Sequence, residues 1–132
     1  MNDKGVCVLH TIGSILPPQP NAPFIQKWIF PDGEIPHESD MAKNIEKSGL
    51  IMSDRETLIR HYDKTLEAWL KRFLKNKHIA KDLFDKKFVK MWEFYLASCS
   101  AAFRYKDLVV FQYQLVKNFD AIPSNRRDYI YS

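Results

Sequence analysis

Glycine is scarce in this chain. Gly5, Gly13, Gly33 and Gly49 are the only four in 132 residues, and no two stand close enough to form a glycine-rich phosphate-binding turn. Cysteine is scarcer still. Cys7 and Cys99 each sit inside an apolar segment, with no CxxC spacing and no third thiol to complete a metal site. Both are expected to be buried free thiols, not a disulfide. His10, His37, His61 and His78 share no ligand-like spacing, so no metal site is expected. No apolar run approaches the roughly 20 residues of a membrane span. The opening residues, Met1-Asn-Asp-Lys-Gly5, have no apolar signal core, and a cytoplasmic location is expected.

What is present is apolar and aromatic: 45% hydrophobic and 14% aromatic residues, enough for one packed domain. No internal repeat or linker divides it. The net charge of +4 is unevenly placed. Between Lys71 and Lys90 eight basic residues (Lys71, Arg72, Lys75, Lys77, Lys81, Lys86, Lys87, Lys90) face only Asp82 and Asp85. Such a run is most often a solvated face. Its other use is to meet an anionic surface, and with no nucleic-acid motif beside it, phospholipid ranks above nucleic acid.

The richest stretch runs from Asp85 to Lys117. Phe88, Trp92, Tyr95, Cys99 and Phe103 recur at helical spacing, widened by Val89, Met91, Leu96 and Ala102, which predicts a long buried helix. Leu108 to Val116, rich in β-branched and aromatic residues, predicts a strand.

Earlier in the chain, Val6 to Leu9 is a continuous apolar run, expected of a strand buried on both faces, with His10 at its C-terminal end. Ser14 to Pro23 is a proline-rich loop, and Phe24 to Phe30 is too short to assign. A short helix is expected from Ser39, its N-cap, to Lys47, stopped by Gly49. Leu50 to Met52 is a brief strand. From about Glu56 a helix follows, with Ser53 and Glu56 as a capping box and Tyr62, Leu66, Trp69, Leu70 and Phe73 on one face. Glu67 and Lys71 form an i,i+4 pair on it. A second short helix covers Ile79 to Phe84, and residues 118–132 form a polar tail. The expectation is an α/β fold of about three strands with three to four helices. That is too few strands for a doubly wound sheet, and it reads as the trailing half of one.

Several stretches together resemble the C-terminal half of cyclopropane-fatty-acyl-phospholipid synthases, class I methyltransferases that use S-adenosylmethionine. They are Val8-Leu-His-Thr-Ile-Gly13, Phe24-Ile-Gln-Lys-Trp-Ile-Phe-Pro-Asp-Gly-Glu-Ile-Pro36, and His61-Tyr-Asp-Lys-Thr-Leu66 with Trp69. Met91-Trp-Glu-Phe-Tyr-Leu96, Cys99, Ala102-Phe-Arg104, Phe111-Gln112 and the tail Arg127-Asp-Tyr-Ile-Tyr131 extend the likeness over nearly the whole chain.

The resemblance implies a Rossmann-like sheet and methyl transfer to a cis double bond of a phospholipid acyl chain. Proton loss to a bound bicarbonate ion then closes the cyclopropane ring. It implies that His10 and the Ile12 backbone help hold bicarbonate, with the Tyr62 hydroxyl as a third donor. Trp92, Tyr95 and Cys99 become candidates for lining the acyl channel, beside an equal claim for ordinary core packing.

The departure is as informative as the match. The glycine-rich turn and acidic residue that bind S-adenosylmethionine in such enzymes have no counterpart here, so no cofactor-binding residue is assigned. Met1 to Gly5 falls where the family has the turn before its fifth strand. The expectation is therefore a single partial domain over residues 1–132, inactive without a complementary N-terminal half. An unpaired sheet edge beside Val6 to Leu9 would favour that half, a homodimer or aggregation. A membrane phospholipid surface is the other expected partner, placing the chain peripherally at the inner membrane face, with no role for nucleic acid. The alternatives are a non-catalytic lipid- or protein-binding module, or a relic of a split gene.

Overall fold

The computed structural model describes residues 1–122 and 126–130. The chain runs β1 (Val6–Ser14), α1 (Pro23–Trp28), α2 (Glu38–Lys47), β2 (Ile51–Leu58), α3 (His61–Lys75), α4 (Lys77–Leu83), α5 (Lys86–Tyr105) and β3 (Leu108–Val116). The α/β class and three strands agree with the sequence reading, while five helices form where three to four were expected. The untyped aromatic segment supplies α1, opened by Pro23, whose fixed φ and missing N–H suit a first helical turn.

The strand order is β1-β3-β2, with both outer strands antiparallel to the central β3. Alternation along β3 divides the core in two. Val109, Phe111, Tyr113 and Leu115 point to one face, where they pack with Ile45 of α2 and its neighbour Met41. Val110 points to the other, against Leu66 of α3 and Leu96 and Phe103 of α5. Leu66 and Leu96 are each 1% exposed, and burying a side chain of that size stabilises by about 1.5–3 kcal/mol.

Several local expectations are corrected. Val6 to Leu9 is not buried on both faces: β1 is an edge strand, paired with β3 along its length and otherwise bridged only at Ser14, to His37, among the described residues, and Val8 is 67% exposed. A continuous apolar run reports the surroundings a strand would need, and among the described residues the pairing on its outer edge is the single bridge from Ser14 to His37, beyond Val6 to Leu9. The second strand is longer than Leu50 to Met52, and it contains both Ser53 and Glu56. Ser53 lies at a register shift, donating to the Gln114 carbonyl (3.1 Å), so the supposed capping box is strand. Pairing with β3 outcompetes the local cap, and α3 starts only at His61. The cap of α2 is His37, whose Nδ1 accepts from the Ser39 amide (3.2 Å), and not Ser39 itself. Gly49 does follow the helix end in the left-handed region, φ +73°, where glycine carries no Cβ penalty.

Helix α5 is rotated relative to the expected face. Val89, Leu96, Ser100 and Phe103 are buried, while Phe88, Trp92, Tyr95 and Cys99 are half-buried beside them. Asp85 caps this helix, accepting from the Phe88 amide (2.6 Å). Trp69, placed on the inner face of α3 by periodicity, is 40% exposed. Glu67, expected to pair with Lys71, pairs with Arg104. Both thiols are free, as expected, but half-buried instead of buried.

The tail forms two 3-10 turns, Phe119–Ala121 and Arg127–Ile130. It returns to the sheet: the Tyr129 hydroxyl accepts from Gln114 Nε2 (2.7 Å), and Arg127 donates twice to Asp54 (2.5 and 2.8 Å). Pro123 and Tyr131 lie outside the described residues.

Candidate functional site

Alternation along β1 puts His10 and Ile12 on the sheet face that α3 and α5 cover, because His10 pairs with Gln112 and Ile12 with Val110. His10 stands in the middle of β1, not at its end, since the strand continues to Ser14. The Gln112 side-chain amide donates to His10 Nδ1 (3.0 Å). That bond makes Nδ1 the acceptor and leaves the ring proton on Nε2, which turns the outer edge of the imidazole into a donor. Glu56 of β2 pairs with Gln112 from its other side, so His10, Gln112 and Glu56 form one polar row across the sheet. The Ile12 carbonyl accepts from the Thr11 hydroxyl (2.9 Å).

Tyr62 reaches the same side of the sheet from a helix. The chain turns from β2 into α3 through Arg60 in the left-handed region, φ 58°, which is a tight corner for a non-glycine residue. Tyr62, in the first turn of α3, packs on the cluster of Leu66, Leu96, Phe103 and Val110. Its ring lies 5.2 Å from that of Phe103 and 5.9 Å from that of Trp69. Val110 thus links the two parts: it is the strand partner of Ile12 and part of the floor beneath Tyr62.

Trp92, Tyr95 and Cys99 pack against the same cluster. Burial raises the Tyr95 hydroxyl above its ordinary range, and Cys99 and Tyr62 raise it further. Burial also pushes the Cys99 thiol up, offset in part by a hydrogen bond with Ser98. Phe88, Trp92 and Tyr95 form an aromatic row along α5, with centroids 6.1 and 5.0 Å apart. Phe30 meets Tyr95 edge-on at 6.1 Å, and Phe24 of α1 meets Phe94 at 4.7 Å. The result is an apolar, aromatic wall with a few polar tips, a lining suited to an acyl chain.

A polar clamp holds the two site-bearing helices together. Asp63, next to Tyr62, is 6% exposed, accepts from the Ser100 hydroxyl, and takes two bonds from Arg104 (Nε 2.7 Å, Nη2 3.1 Å). Arg104 also donates to Glu67. Sequence reasoning assigned no role to Gln112, Asp63 or Arg104. For Gln112 a signal existed: Gln112 and Gln114 interrupt an otherwise apolar strand at alternate positions, marking one polar face. Asp63 and Arg104 stand 41 residues apart, beyond any local pattern.

Among the described residues no group of three or more His, Cys, Asp or Glu could hold a metal ion, and no helix is long and apolar enough to cross a membrane. Nor do the glycines fit a cofactor-binding turn. Gly13 lies inside β1, where an added Cβ would fall 2.4 Å from the buried Phe111 ring. Gly49 ends α2, and Gly5 and Gly33 close turns onto Asn2 and Phe30. None opens a helix after a strand.

The α/β fold matches part of the cyclopropane synthases, proteins of methyltransferase fold. A solved structure of the cyclopropane synthase MmaA2 from Mycobacterium tuberculosis superposes with TM-score 0.80 at 26% identity, over 87% of this chain and 45% of that one. The mycolic acid cyclopropane synthase CmaA1, complexed with SAH and CTAB, does so with TM-score 0.76 at 28% identity, over 84% of this chain and 44% of that one.

The chain belongs to the family described as mycolic acid cyclopropane synthetase, which matches residues 1–113. The cyclopropane-fatty-acyl-phospholipid synthase of Escherichia coli K12 is 35% identical over 112 residues, 85% of this chain and 29% of that protein. The tuberculostearic acid methyltransferase UfaA1 of M. tuberculosis is 38% identical over 96 residues, 71% of this chain and 22% of that protein. The chain therefore spans less than a third of the length of these curated relatives and under half of the solved ones.

Proposed function

We propose that this chain is the C-terminal part of a lipid-modifying methyltransferase of the cyclopropane synthase type, acting with a complementary N-terminal half that binds S-adenosylmethionine. The observation that supports this reading is that His10 and Ile12 share the sheet face on which Tyr62 packs, against the cluster that includes Val110, the strand partner of Ile12. Methyl transfer to an alkene leaves a carbocation, and ring closure then requires loss of one proton from the methyl group. A bound bicarbonate would both stabilise that cation and accept the proton.

The residues present fit such an anion. The Gln112 amide holds His10 with its Nε2–H as donor, the backbone at Ile12 lies beside it on the same strand, and Tyr62 brings a hydroxyl from α3. Trp92, Tyr95 and Cys99 line the acyl side and keep water away from the reacting carbon. Because the glycines do not build a cofactor turn, no step is assigned to S-adenosylmethionine on this chain.

The test is a chimaera in which this chain replaces the matching segment of the E. coli synthase. Methyl transfer into unsaturated phospholipid is then measured with and without added bicarbonate. Activity that depends on bicarbonate, and falls about 100-fold in His10→Ala and in Tyr62→Phe, supports the assignment. Full activity in both variants, with the chimaera folded, overturns it.

A further inference from the structure

The basic stretch singled out in the sequence is not a flat solvated face. It surrounds an apolar tip. Where α3 ends and α4 and the start of α5 fold back, Leu83 stands 72% exposed and Phe84 56%, with Ile79 and Leu74 also exposed. Phe84 stacks on Phe88 at 4.2 Å, which fixes its ring at the surface. Beside this tip lies an open cleft of about 420 Å³ lined by Lys77, His78, Lys81, Lys86, Val89 and Lys90. Four lysines thus converge on one depression. The two acids of the stretch are Asp82 and Asp85, and Asp85 is committed to capping α5. Glu93 pairs with Lys77 (2.5 Å) at the rim.

We propose that this α4 corner is a docking device for a bilayer bearing anionic phospholipid. Leu83 and Phe84 enter the headgroup boundary, and the lysine cleft takes a lipid phosphate. Charge complementarity and the apolar tip select this occupant together. Lysines near an anionic leaflet are attracted to it, and short apolar side chains beside them insert into the interface. A nucleic acid would use the lysines but leave Leu83 and Phe84 in water. A protein partner would cover the apolar tip, but protein interfaces are depleted in lysine. The inference rests on this corner alone and stands independently of the catalytic role proposed above.

The experiment is co-sedimentation of the full chain with vesicles of phosphatidylcholine, alone or with about one-third phosphatidylglycerol. Binding to the anionic vesicles only, weakened in ~0.5 M salt, is expected. Charge reversal at Lys81, Lys86 and Lys90 should lower the partition coefficient by at least about 100-fold. Leu83→Ser should lower it without loss of helix content, because that side chain is mostly in solvent. Equal binding to neutral vesicles, no binding to anionic ones, or unchanged binding by both variants overturns the proposal. A parallel pull-down with the N-terminal part of the E. coli synthase covers the other occupant. Loss of that interaction in the same variants, with vesicle binding intact, reassigns the corner to a protein partner.

Discussion

Arg104 and Asp63 join α5 to α3 through a two-pronged ion pair, Nε to Oδ2 at 2.7 Å and Nη2 to Oδ1 at 3.1 Å. The hydrogen bonds from Arg104, followed by that from Ser100, hold the Asp63 carboxyl below its ordinary value of 3.8. Arg104 is correspondingly raised, by Asp63 first and Glu67 second. A carboxylate depressed in the folded state stabilises the fold at pH values above the unfolded pKa. That contribution is lost as pH falls through the lower, folded one. Asp63→Asn should therefore melt lower than the parent by roughly 5 °C or more at neutral pH. The gap should narrow as pH drops below 3.8. A gap of constant size down to the lowest pH at which the chain still folds would contradict the assignment.

Gly13 is required by space. A Cβ there would stand 2.4 Å and 2.6 Å from two carbons of the Phe111 ring and 3.0 Å from the Pro36 carbonyl oxygen. Phe111 is fully buried and cannot swing aside. Gly13→Ala should destabilise by about 1–3 kcal/mol through overpacking, read from urea unfolding. The double variant Gly13→Ala with Phe111→Leu should recover part of the loss, and an unchanged midpoint in the single variant would contradict the packing.

Leu96 couples the helical layer to the sheet. Leu96→Ala should cost about 2–5 kcal/mol, the range for a large-to-small change in a buried position. Leu83→Ala, at a 72% exposed site, should stay within about 0.5 kcal/mol. Comparable losses at both positions would show that the core is elsewhere.

Cys99 should be a slow nucleophile. Burial raises its thiol pKa, and the thiolate is the reactive form. Alkylation by iodoacetamide should be slower than that of a free thiol at neutral pH, and its rate should still climb beyond pH 9. A rate that levels off below pH 8 would contradict the buried environment.

Much of this architecture could be read from the chain, and the reasons are local. Helix α5 and strand β3 announce themselves because periods of 3.6 and of β-branched residues persist over long stretches, and tertiary packing agrees with them. The errors fall where a long-range partner decides. Ser53 and Glu56 have capping-box spacing, yet both lie in β2, Glu56 paired with Gln112 of β3 and Ser53 at the register shift beside Gln114. Val6 to Leu9 has the composition of a covered strand but lies at the sheet edge. His37 caps α2 through a ring nitrogen, which the preference for Ser at such positions concealed. The candidate site followed the same rule. The resemblance supplied His10 and Ile12 in one motif and Tyr62 in another, whereas the face that His10 and Ile12 share with Tyr62 depends on the register of β1 against β3 and on the packing of α3 over it.

The most direct measurement is methyl transfer from labelled S-adenosylmethionine into vesicles of unsaturated phospholipid. It compares this chain alone, the N-terminal part of the E. coli synthase alone, and the two together. The account predicts label in lipid only when both are present. Label with this chain alone would contradict the absence of a cofactor turn. No label from a mixture in which both parts are folded and associated would contradict the proposed catalytic role.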